Sequence, residues 1–370
     1  MTTIAHPEPS TSDPDPATVE AYTGLVAMHA TAAINAALVT LGDQLGLWKA
    51  MAGAGPLTVA ELAGRAGVTE RYLQEWLAAM AASGFVGYDA AADAFELPDA
   101  GAAVLADEDS PALFIGPFQF MPLIHEMLPA LRTGFRAGVG YSWLDRDPAF
   151  CDAEERFTRP FHRGLLVGVW LASVPGLVDR LTAGAKVADI GCGYGRSTIE
   201  MAKAFPASTF VGFDFHDHSI AKAREAARAE GVANRVTFEV ADAGSFAGSG
   251  YDVALLCDAL HDMGDPVAAA RHAHEVLVPG GQLVTLDPKS AGNSLGENLG
   301  DPFASTMYAV SCFICTPSAI AQEGPEVLGA LPGEDAIRRV LTSAGFATVE
   351  RHGHDAPLNM VMVATKTGEA

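Results

Sequence analysis

The segment "LLCDALHDMGDP", residues 255–266, changes abruptly from apolar to polar, and its polar side chains are of types that do chemistry. Asp258, His261, Asp262 and Asp265 follow a run typical of a buried strand. A histidine, whose ordinary pKa is about 6.5, exchanges protons near neutral pH, and a neighbouring carboxylate can orient its ring. His261 is therefore the candidate general base, and Asp258 or Asp262 is the candidate for holding its imidazole.

A second informative stretch is "AKVADIGCGYGRSTIEMAKAF", which reads as a strand, a glycine-rich turn and a helix. The pattern predicts the strand over 187–190 and the helix over 197–205. Glycines in such a turn let the backbone bend tightly and approach a ligand closely. Gly191, Gly193 and Gly195 are therefore predicted ligand-binding residues.

These residues need a sheet to position them, and strand and helix patterns alternate from this stretch almost to the end of the chain. Such alternation predicts a mostly parallel sheet with helices on both faces, a Rossmann-like α/β fold. Ligands of these sheets bind beyond the carboxyl ends of the strands. The predicted strand ends carry four acids: Asp189, Asp214, Asp242 and Asp258.

The choice of acids indicates which nucleotide-like ligand fits. A dinucleotide fingerprint needs G-x-G-x-x-G, whereas Arg196 stands where the last glycine would be. Asp189 would repel a pyrophosphate but can accept hydrogen bonds from an ammonium group. Asp214 can accept both ribose hydroxyls, and Asp242 can accept from an adenine amino group. S-adenosylmethionine, which has no phosphate, is thus compatible with all three of these acids, whereas NAD is compatible with only one of them. The remaining predicted cofactor residues are Phe215, Ala243 and Cys257.

The stretch "LTVAELAGRAGVTERYLQEWLAAMAASGFV" reads as helix, turn, helix, and two short strands follow it, as in a winged helix. Thr58 and Glu61 form a capping box, T-x-x-E, that predicts the start of the first helix. DNA binding is disfavoured, because the only basic side chains before residue 108 are Lys49, Arg65 and Arg71. An interaction module that pairs two subunits is the preferred interpretation.

Residues 187–288 resemble a class I S-adenosylmethionine-dependent methyltransferase, since "VADIGCGYG", "GFD" and "VAD" match that family's cofactor motifs in order and spacing. The added winged helix resembles the plant and bacterial small-molecule O-methyltransferases. A closer resemblance, through "LHDMGDP" and a later "ENL…CTP…Q…GE" pattern, is to the mycobacterial winged-helix methyltransferase-like group. The resemblance implies methyl transfer to a small molecule, most simply at oxygen. It matches His261 to the catalytic histidine of an "HDW" motif, with Met263 in place of the tryptophan.

The resemblance and the local composition together predict the domain organisation. We expect a disordered tail over 1–20, a winged-helix and dimerisation domain over 21–108, a helical connector over 109–182 and a catalytic domain over 183–370. A glycine-, serine- and proline-rich insertion over 289–332 is expected to form a lid. Prolines at 111, 117, 122 and 129 are expected to break the connector's helices. The predicted substrate residues are Tyr141, Asp258, Tyr308 and Asn359.

Composition limits the partners. The formal net charge is −22, which disfavours nucleic acid and anionic membranes. The apolar stretch "GLVAMHATAAINAALVTL" is interrupted by polar residues and is expected to be a buried helix, at a dimer interface, rather than a span. Five cysteines, an odd number, suit a reducing compartment, so a cytoplasmic location is expected. No metal is expected, because Cys312 and Cys315 form a C-x-x-C without the second pair that a zinc site needs. The resemblance implies a homodimer.

Three alternatives remain open at this stage. The chain could bind S-adenosylmethionine for a non-methylating role, because cofactor binding and catalysis separate easily. It could sense a ligand as a regulator, although the basic face for DNA is missing. It could also be an NAD enzyme, which the glycine pattern disfavours.

Overall fold

The computed structural model describes residues 15–368, which divide into two compact units between Asp107 and Glu108. The expected tail lies outside the described residues as far as position 14. Its last residues are helical instead, because the first helix begins at Pro16 and the Asp15 side chain accepts a hydrogen bond from the Ala17 amide. The expected connector does not form a compact unit of its own, since residues from 108 onward belong to the second unit.

The first unit is a helical domain with a small two-stranded wing. Its elements are α1 (Pro16–Gln44), α2 (Leu47–Met51), α3 (Val59–Ala66), α4 (Glu70–Ala82), β1 (Gly87–Asp89), β2 (Ala94–Glu96) and α5 (Asp99–Leu105). The predicted capping box is present: the Thr58 amide donates to Glu61 Oε2 at 2.8 Å, and the Glu61 amide donates to Thr58 Oγ1 at 3.3 Å. Thr69 precedes α4 but its hydroxyl makes no capping bond. The winged helix is confirmed.

Helix α1 differs from expectation, because most of it is exposed within the chain. Its buried residues are confined to the C-terminal end, at Val39, Thr40 and Gly42, whereas Tyr22 is 68% and Ile34 67% exposed. Within a single chain this helix is therefore mostly not buried, and its burial at a dimer interface stays a prediction. In the described part of the chain, two helical segments are long and apolar enough to cross a membrane by length and composition, or three if a bent helix pair counts as one span.

The second unit is built on a seven-stranded sheet with the order β5-β4-β3-β6-β7-β9-β8. The first five strands are parallel, and β9 runs antiparallel to both β7 and β8. The strands are β3 (Lys186–Ile190), β4 (Thr209–Asp214), β5 (Val236–Val240), β6 (Tyr251–Cys257), β7 (Leu277–Pro288), β8 (Thr348–His352) and β9 (Asn359–Thr365). The mostly parallel Rossmann-like fold is confirmed.

Helices cover the sheet and extend the unit at its N-terminal side. They are α6 (Gly116–Ala137), α7 (Pro148–Phe161), α8 (Leu177–Ala183), α9 (Arg196–Ala204), α10 (Asp217–Ala229), α11 (Pro266–Val276), α12 (Leu295–Asn298), α13 (Ala304–Val310), α14 (Thr316–Ala321) and α15 (Gly333–Ser343). The chain also forms wide helical turns over His162–Trp170 and Ser311–Cys315. Helices α12 to α14 lie in the expected lid, residues 289–332.

The central strands are buried on both faces, which explains their continuous apolar sequence. In β6, Val253 and Leu255 pack into one hydrophobic cluster, while Ala254 and Leu256 pack into another on the opposite face. The period of two between the faces follows from the alternation of side chains along a strand. Burial on both sides holds the strand ends, and the loops after them, in fixed positions.

Two of the four prolines do not break the connector's helices as expected, whereas Pro111 lies in the turn before α6 and Pro117 in its first turn. Pro122 and Pro129 lie inside the continuous helix α6. Proline removes one backbone donor and usually costs a helix about 3 kcal/mol. Here Phe120 and Met127 of α6 pack with Phe150 of α7 in one buried cluster, and tertiary packing of this kind outweighs local propensity.

Candidate functional site

The loops after the parallel strands meet at one edge of the sheet and surround a cavity. Its lining comes from the glycine-rich turn, from the residues after β4, β5 and β6, and from α7 and the end of α14. The lining residues are Trp143, Cys151, Glu154, Gly191, Gly193, Asp214, Phe215, His216, Ser219, Ala241, Asp242, Ala243, Asp258, Ala259, Asp262, Met263 and Gln322. Six of the nine predicted cofactor residues are therefore brought together.

The three glycines of the turn all have left-handed φ angles, of 71° at Gly191, 52° at Gly193 and 74° at Gly195. At Gly193 a Cβ atom would meet nothing within 4 Å, so the backbone is open there. At Gly195 a Cβ atom would lie 2.4 Å from the Phe238 ring. Gly193 is therefore available to a ligand, whereas Gly195, which does not line the cavity, allows the turn to pack on β5.

Asp214 fixes the turn from the neighbouring strand. Its Oδ2 accepts a hydrogen bond from the Gly193 amide at 2.9 Å, and its Oδ1 accepts one from the His216 amide at 2.9 Å. Burial raises the pKa of Asp214, while these two amides oppose the rise. A carboxylate has about four acceptor positions, so Asp214 can still accept hydrogen bonds from a ligand in the cavity.

Asp189 does not line the cavity. It is fully buried, and its Oδ2 accepts hydrogen bonds from Ser197 Oγ at 2.6 Å and Thr198 Oγ1 at 2.5 Å, both in the first turn of α9. Burial raises its pKa to about 6, against the effect of these hydroxyls. Cys257, the third predicted residue outside the lining, is buried with its Sγ 3.4 Å from His162 Nε2.

The cavity is acidic. Among the described residues that line it, five are acids and none is lysine or arginine; the acids are Glu154, Asp214, Asp242, Asp258 and Asp262. Burial, reinforced by neighbouring carboxylates, raises the pKa of Glu154 to about 8. Burial also raises the pKa of Asp258 to about 6. Glu154 with such a pKa adds little negative charge at pH 7, and the remaining carboxylates suit a cationic ligand and disfavour a phosphate.

His261 lies in a short 3₁₀ turn after β6, at 5% exposure. Its Nδ1 is 3.0 Å from Oδ1 of Asp287, the next-to-last residue of β7, and its backbone amide donates to the same oxygen at 3.2 Å. Its Nε2 is 3.4 Å from Asp262 Oδ1. Ligating atoms of His261, Asp262 and Cys315 lie within 4.8 Å of one another. Burial lowers the pKa of His261, but the acids around it hold that pKa well above the ordinary value.

The imidazole is oriented by Asp287, which sequence reasoning missed. The signal was available, because Asp287 stands near the carboxyl end of a predicted strand, as the four chosen acids do. Asp262 contacts the ring from the other side. Asp258 does not hold the ring in this structure; its Oδ1 accepts a hydrogen bond from Asn359 Nδ2 at 2.6 Å. Its φ of 50° is unusual for a residue other than glycine and marks local strain.

The predicted substrate residues are dispersed. Asp258 lines the cavity, and Asn359 donates a hydrogen bond to the Asp258 side chain. Tyr308 accepts a hydrogen bond from Asn298 Nδ2 at 3.1 Å within the insertion. Tyr141 lines a different cavity, of about 440 Å³, beside α6 and α7. Sequence reasoning missed Glu154, because a single glutamate on a helix of the presumed connector carries no pattern.

The expected lid is tied to the site by Gln322. Its Oε1 accepts a hydrogen bond from the Gly264 amide at 3.1 Å, and its Nε2 donates to the Asp262 carbonyl at 2.8 Å. Both partners belong to the loop that carries His261. The end of α14 is therefore bound directly to the loop after β6.

Comparison with known families agrees with this architecture. A methyltransferase domain family matches residues 181–358, and an Rv2258c-like winged helix-turn-helix domain family matches residues 32–107. The 27-O-demethylrifamycin SV methyltransferase of Amycolatopsis mediterranei is 36% identical over 31% of this chain and 47% of its own length. An O-methyltransferase of Aspergillus nomiae, rstn1, is 30% identical over 44% of this chain and 69% of its own length.

A third relative is an S-adenosyl-L-methionine-dependent Diels-Alderase, iliD, of a Neonectria species, 28% identical over 46% of this chain and 62% of its own length. The chain thus spans between about half and two thirds of the length of these curated relatives.

Solved structures share the fold across both units. An O-methyltransferase family protein from Burkholderia thailandensis has a TM-score of 0.70 at 18% identity, over 95% of this chain and 99% of that one. Human N-acetylserotonin methyltransferase, in a structure with S-adenosylmethionine, has a TM-score of 0.68 at 17% identity, over 97% of this chain and 99% of that one.

Proposed function

Because the chain belongs to the S-adenosylmethionine-dependent methyltransferase family, we propose that it transfers the methyl group of this cofactor to a small-molecule acceptor. One observation carries the proposal: Gly193, Asp214 and Asp242 line a single acidic cavity at the carboxyl ends of the strands. S-adenosylmethionine supplies an electrophilic methyl group on a sulfonium cation. The excess of carboxylates favours that charge and disfavours the pyrophosphate of NAD.

Each of the cavity residues binds a different part of the cofactor. Asp214 accepts hydrogen bonds from the ribose hydroxyls, and Asp242, whose Oδ1 accepts from the Gly244 amide at 2.8 Å, accepts from the adenine amino group. Gly193 admits the ligand to the backbone, and Phe215 and Ala243 line the adenosine region. Asp189 acts through the protein instead, since its carboxylate binds the first turn of α9.

Oxygen is the proposed acceptor atom, with His261 as the general base. The acids around His261 hold its pKa above the ordinary value, which makes its neutral imidazole a stronger base. Asp287 keeps the ring in one orientation, as carboxylates do for catalytic histidines.

A second function is a cofactor-dependent reaction without methyl transfer. The observation that favours it is the similarity to a Diels-Alderase that depends on S-adenosyl-L-methionine. The acids near both ring nitrogens of His261 suit such a role as well, because they favour the protonated imidazole, which donates hydrogen bonds and cannot accept a proton.

We propose that the active form is a cytoplasmic homodimer joined through α1. Apolar residues along α1, from Val19 to Leu41, are exposed to water in the single chain. Packing of α1 against a second copy of the chain would bury them in a symmetric interface. All five cysteines are free, as a reducing compartment requires. The acidic charge of the chain argues against nucleic acid and anionic membranes as partners.

Calorimetry with S-adenosylmethionine, S-adenosylhomocysteine and NAD tests the binding proposal, with selective binding of the first two expected. A methylation assay over phenols, alcohols, thiols, amines and carboxylates then identifies the acceptor. Tight binding of S-adenosylmethionine without any methyl transfer would favour the second function. Binding of NAD alone would contradict both functions.

A further inference from the structure

The strand order determines how a cofactor can lie along the edge of the sheet. In the order β5-β4-β3-β6, the strand ends and the loops directly after them carry Asp242, Asp214, the glycine turn and Asp258 in succession. Neighbouring strands are about 4.8 Å apart, so β5 and β6 are separated by about 14 Å. With the adenine at Asp242 and the ribose at Asp214, the methionine part of the cofactor extends across β3 to the end of β6.

The methionine part carries an ammonium group, and the acid that the sequence suggests for it does not line the cavity. The carboxylate of Asp189 is buried inside the unit, where it accepts hydrogen bonds from two hydroxyls of α9. An ammonium group has three hydrogen-bond donors, and a partly buried cation needs a charged or polar partner. Another acid near the end of β6 is therefore required.

Asp258 stands at that end, next to the glycine turn. A Cβ atom on Gly191 would lie 2.8 Å from the Ala259 Cβ atom, so the turn and the residue after Asp258 are in contact. Both Gly191 and Asp258 line the cavity. Asp258 Oδ2 has no hydrogen-bond partner in the described part of the chain and, unlike Asp287 Oδ2, is not closed off from solvent. This oxygen is free to accept a hydrogen bond from a ligand.

The rest of Asp258 is held firmly. Its amide donates to the Leu286 carbonyl of β7 at 2.7 Å, and Asn359 Nδ2, on a residue that is 6% exposed, donates to its Oδ1 at 2.6 Å. Its φ of 50° lies in the left-handed region, which is unfavourable for residues other than glycine. The two hydrogen bonds fix the backbone and one carboxylate oxygen, and they thereby fix the direction of the other oxygen. Backbone strain that is maintained in this way is typical of functional sites.

We propose that Asp258 binds the ammonium group of the cofactor's methionine part, and that Asn359 is the positioning residue that orients the Asp258 carboxylate. This assignment rests on the proposed function, because it requires S-adenosylmethionine in the cavity. Burial raises the pKa of Asp258 to about 6, so its carboxylate is largely ionised at pH 7 and attracts a cation. An adenosine derivative without the ammonium group should therefore bind less tightly.

The test compares S-adenosylhomocysteine with its deamino analogue, which lacks only the ammonium group. Calorimetry on the full chain measures both ligands for the wild type, Asp258→Asn, Asn359→Leu and Asp262→Asn. We expect the wild type to prefer S-adenosylhomocysteine by tenfold or more. Asp258→Asn should lose most of that preference and keep its affinity for the analogue, because asparagine tolerates the left-handed backbone. Asn359→Leu should lose part of the preference.

The matched control is Asp217→Asn, an exposed acid that is not among the residues lining the cavity, and both of its affinities should equal those of the wild type. An unchanged preference in Asp258→Asn would overturn the assignment. So would a preference that is lost in Asp262→Asn and kept in Asp258→Asn, because the ammonium group would then lie at the other acid. An unchanged preference in Asn359→Leu would overturn the positioning role.

A second variant covers the case in which Asp258→Asn does not fold. Asp258→Gly removes the carboxylate and suits the left-handed backbone, so it should lose the same preference. Two results for the wild type separate this assignment from the proposed function. Equal affinity for the two ligands would overturn the assignment alone, whereas binding of neither ligand would refute the proposed function and the assignment with it.

Discussion

The imidazole of His261 and the carboxylate of Asp287 form a buried pair, with Nδ1 3.0 Å from Oδ1 across 26 residues of sequence. Asp287 also accepts a hydrogen bond from the backbone amide of His261. One carboxylate oxygen thus fixes both the backbone and the ring of the candidate base. The Nε2 atom is left to Asp262, which lines the cofactor cavity.

Replacing His261 by alanine should slow turnover by roughly 10²–10⁴-fold with a hydroxyl acceptor, the usual contribution of a positioned base. Cofactor affinity should change little, because Asp214 and Asp242 stand at the ends of other strands. Steady-state kinetics and calorimetry measure both, and His354→Ala, an exposed histidine, is the matched control. An acceptor that is already ionised should be much less affected. Near-normal turnover of a weakly acidic alcohol would make His261 structural.

The rate should rise with pH. Below its pKa the imidazole of His261 is protonated and cannot accept a proton, and that pKa lies above the ordinary value. Asp287→Asn removes a negative charge that stabilises the imidazolium, so the midpoint of the kcat profile should move down by about one pH unit or more. A profile measured from pH 5 to 10 checks this. Midpoints that coincide in the variant and the wild type would contradict it.

Asp214→Ala should weaken S-adenosylmethionine binding tenfold or more, because it removes acceptors for the ribose and for the Gly193 amide. The matched control is Asp217→Ala, an exposed acid three residues along the chain that is not among the residues lining the cavity. Calorimetry compares the two. Unchanged affinity in the Asp214 variant would refute its assigned role.

Two glycines of the same turn should respond differently to alanine. Gly195→Ala places a Cβ atom against the Phe238 ring, and overpacking of this kind costs about 1–3 kcal/mol in addition to left-handed backbone strain. Gly193→Ala meets no neighbour, so only the strain applies and the main loss should be in cofactor affinity. Denaturant unfolding and calorimetry separate the effects. Equal losses of stability would show that the turn packs differently.

Light scattering on the intact chain should give a dimer mass. Val26→Glu with Ile34→Glu places charges on the exposed apolar side of α1 and should yield monomers, whereas Tyr72→Glu, on a residue of α4 that is 84% exposed, should not. A monomeric wild type at micromolar concentration would refute the dimer. Binding to DNA that weakens with salt would contradict the expected absence of nucleic-acid partners.

The sequence by itself determined the features that depend on neighbouring residues. The capping box of Thr58 and Glu61, the glycine turn before α9 and the order of strands and helices follow from hydrogen bonding and backbone freedom within a few residues. The rule that strand ends meet at one edge then brought Gly193, Asp214, Asp242 and Asp258 to one cavity.

The tertiary structure decided which side chains face that cavity and which are turned inward. Asp189 ends its strand as expected, yet the hydroxyls of α9 bind its carboxylate inside the unit. Helix α6 continues through two interior prolines, Pro122 and Pro129, because packing against α7 outweighs their local cost. Arg146 is held by Ser318, 172 residues later in the chain. Such pairings depend on the register of segments that are distant in sequence, and local composition carries no record of that register.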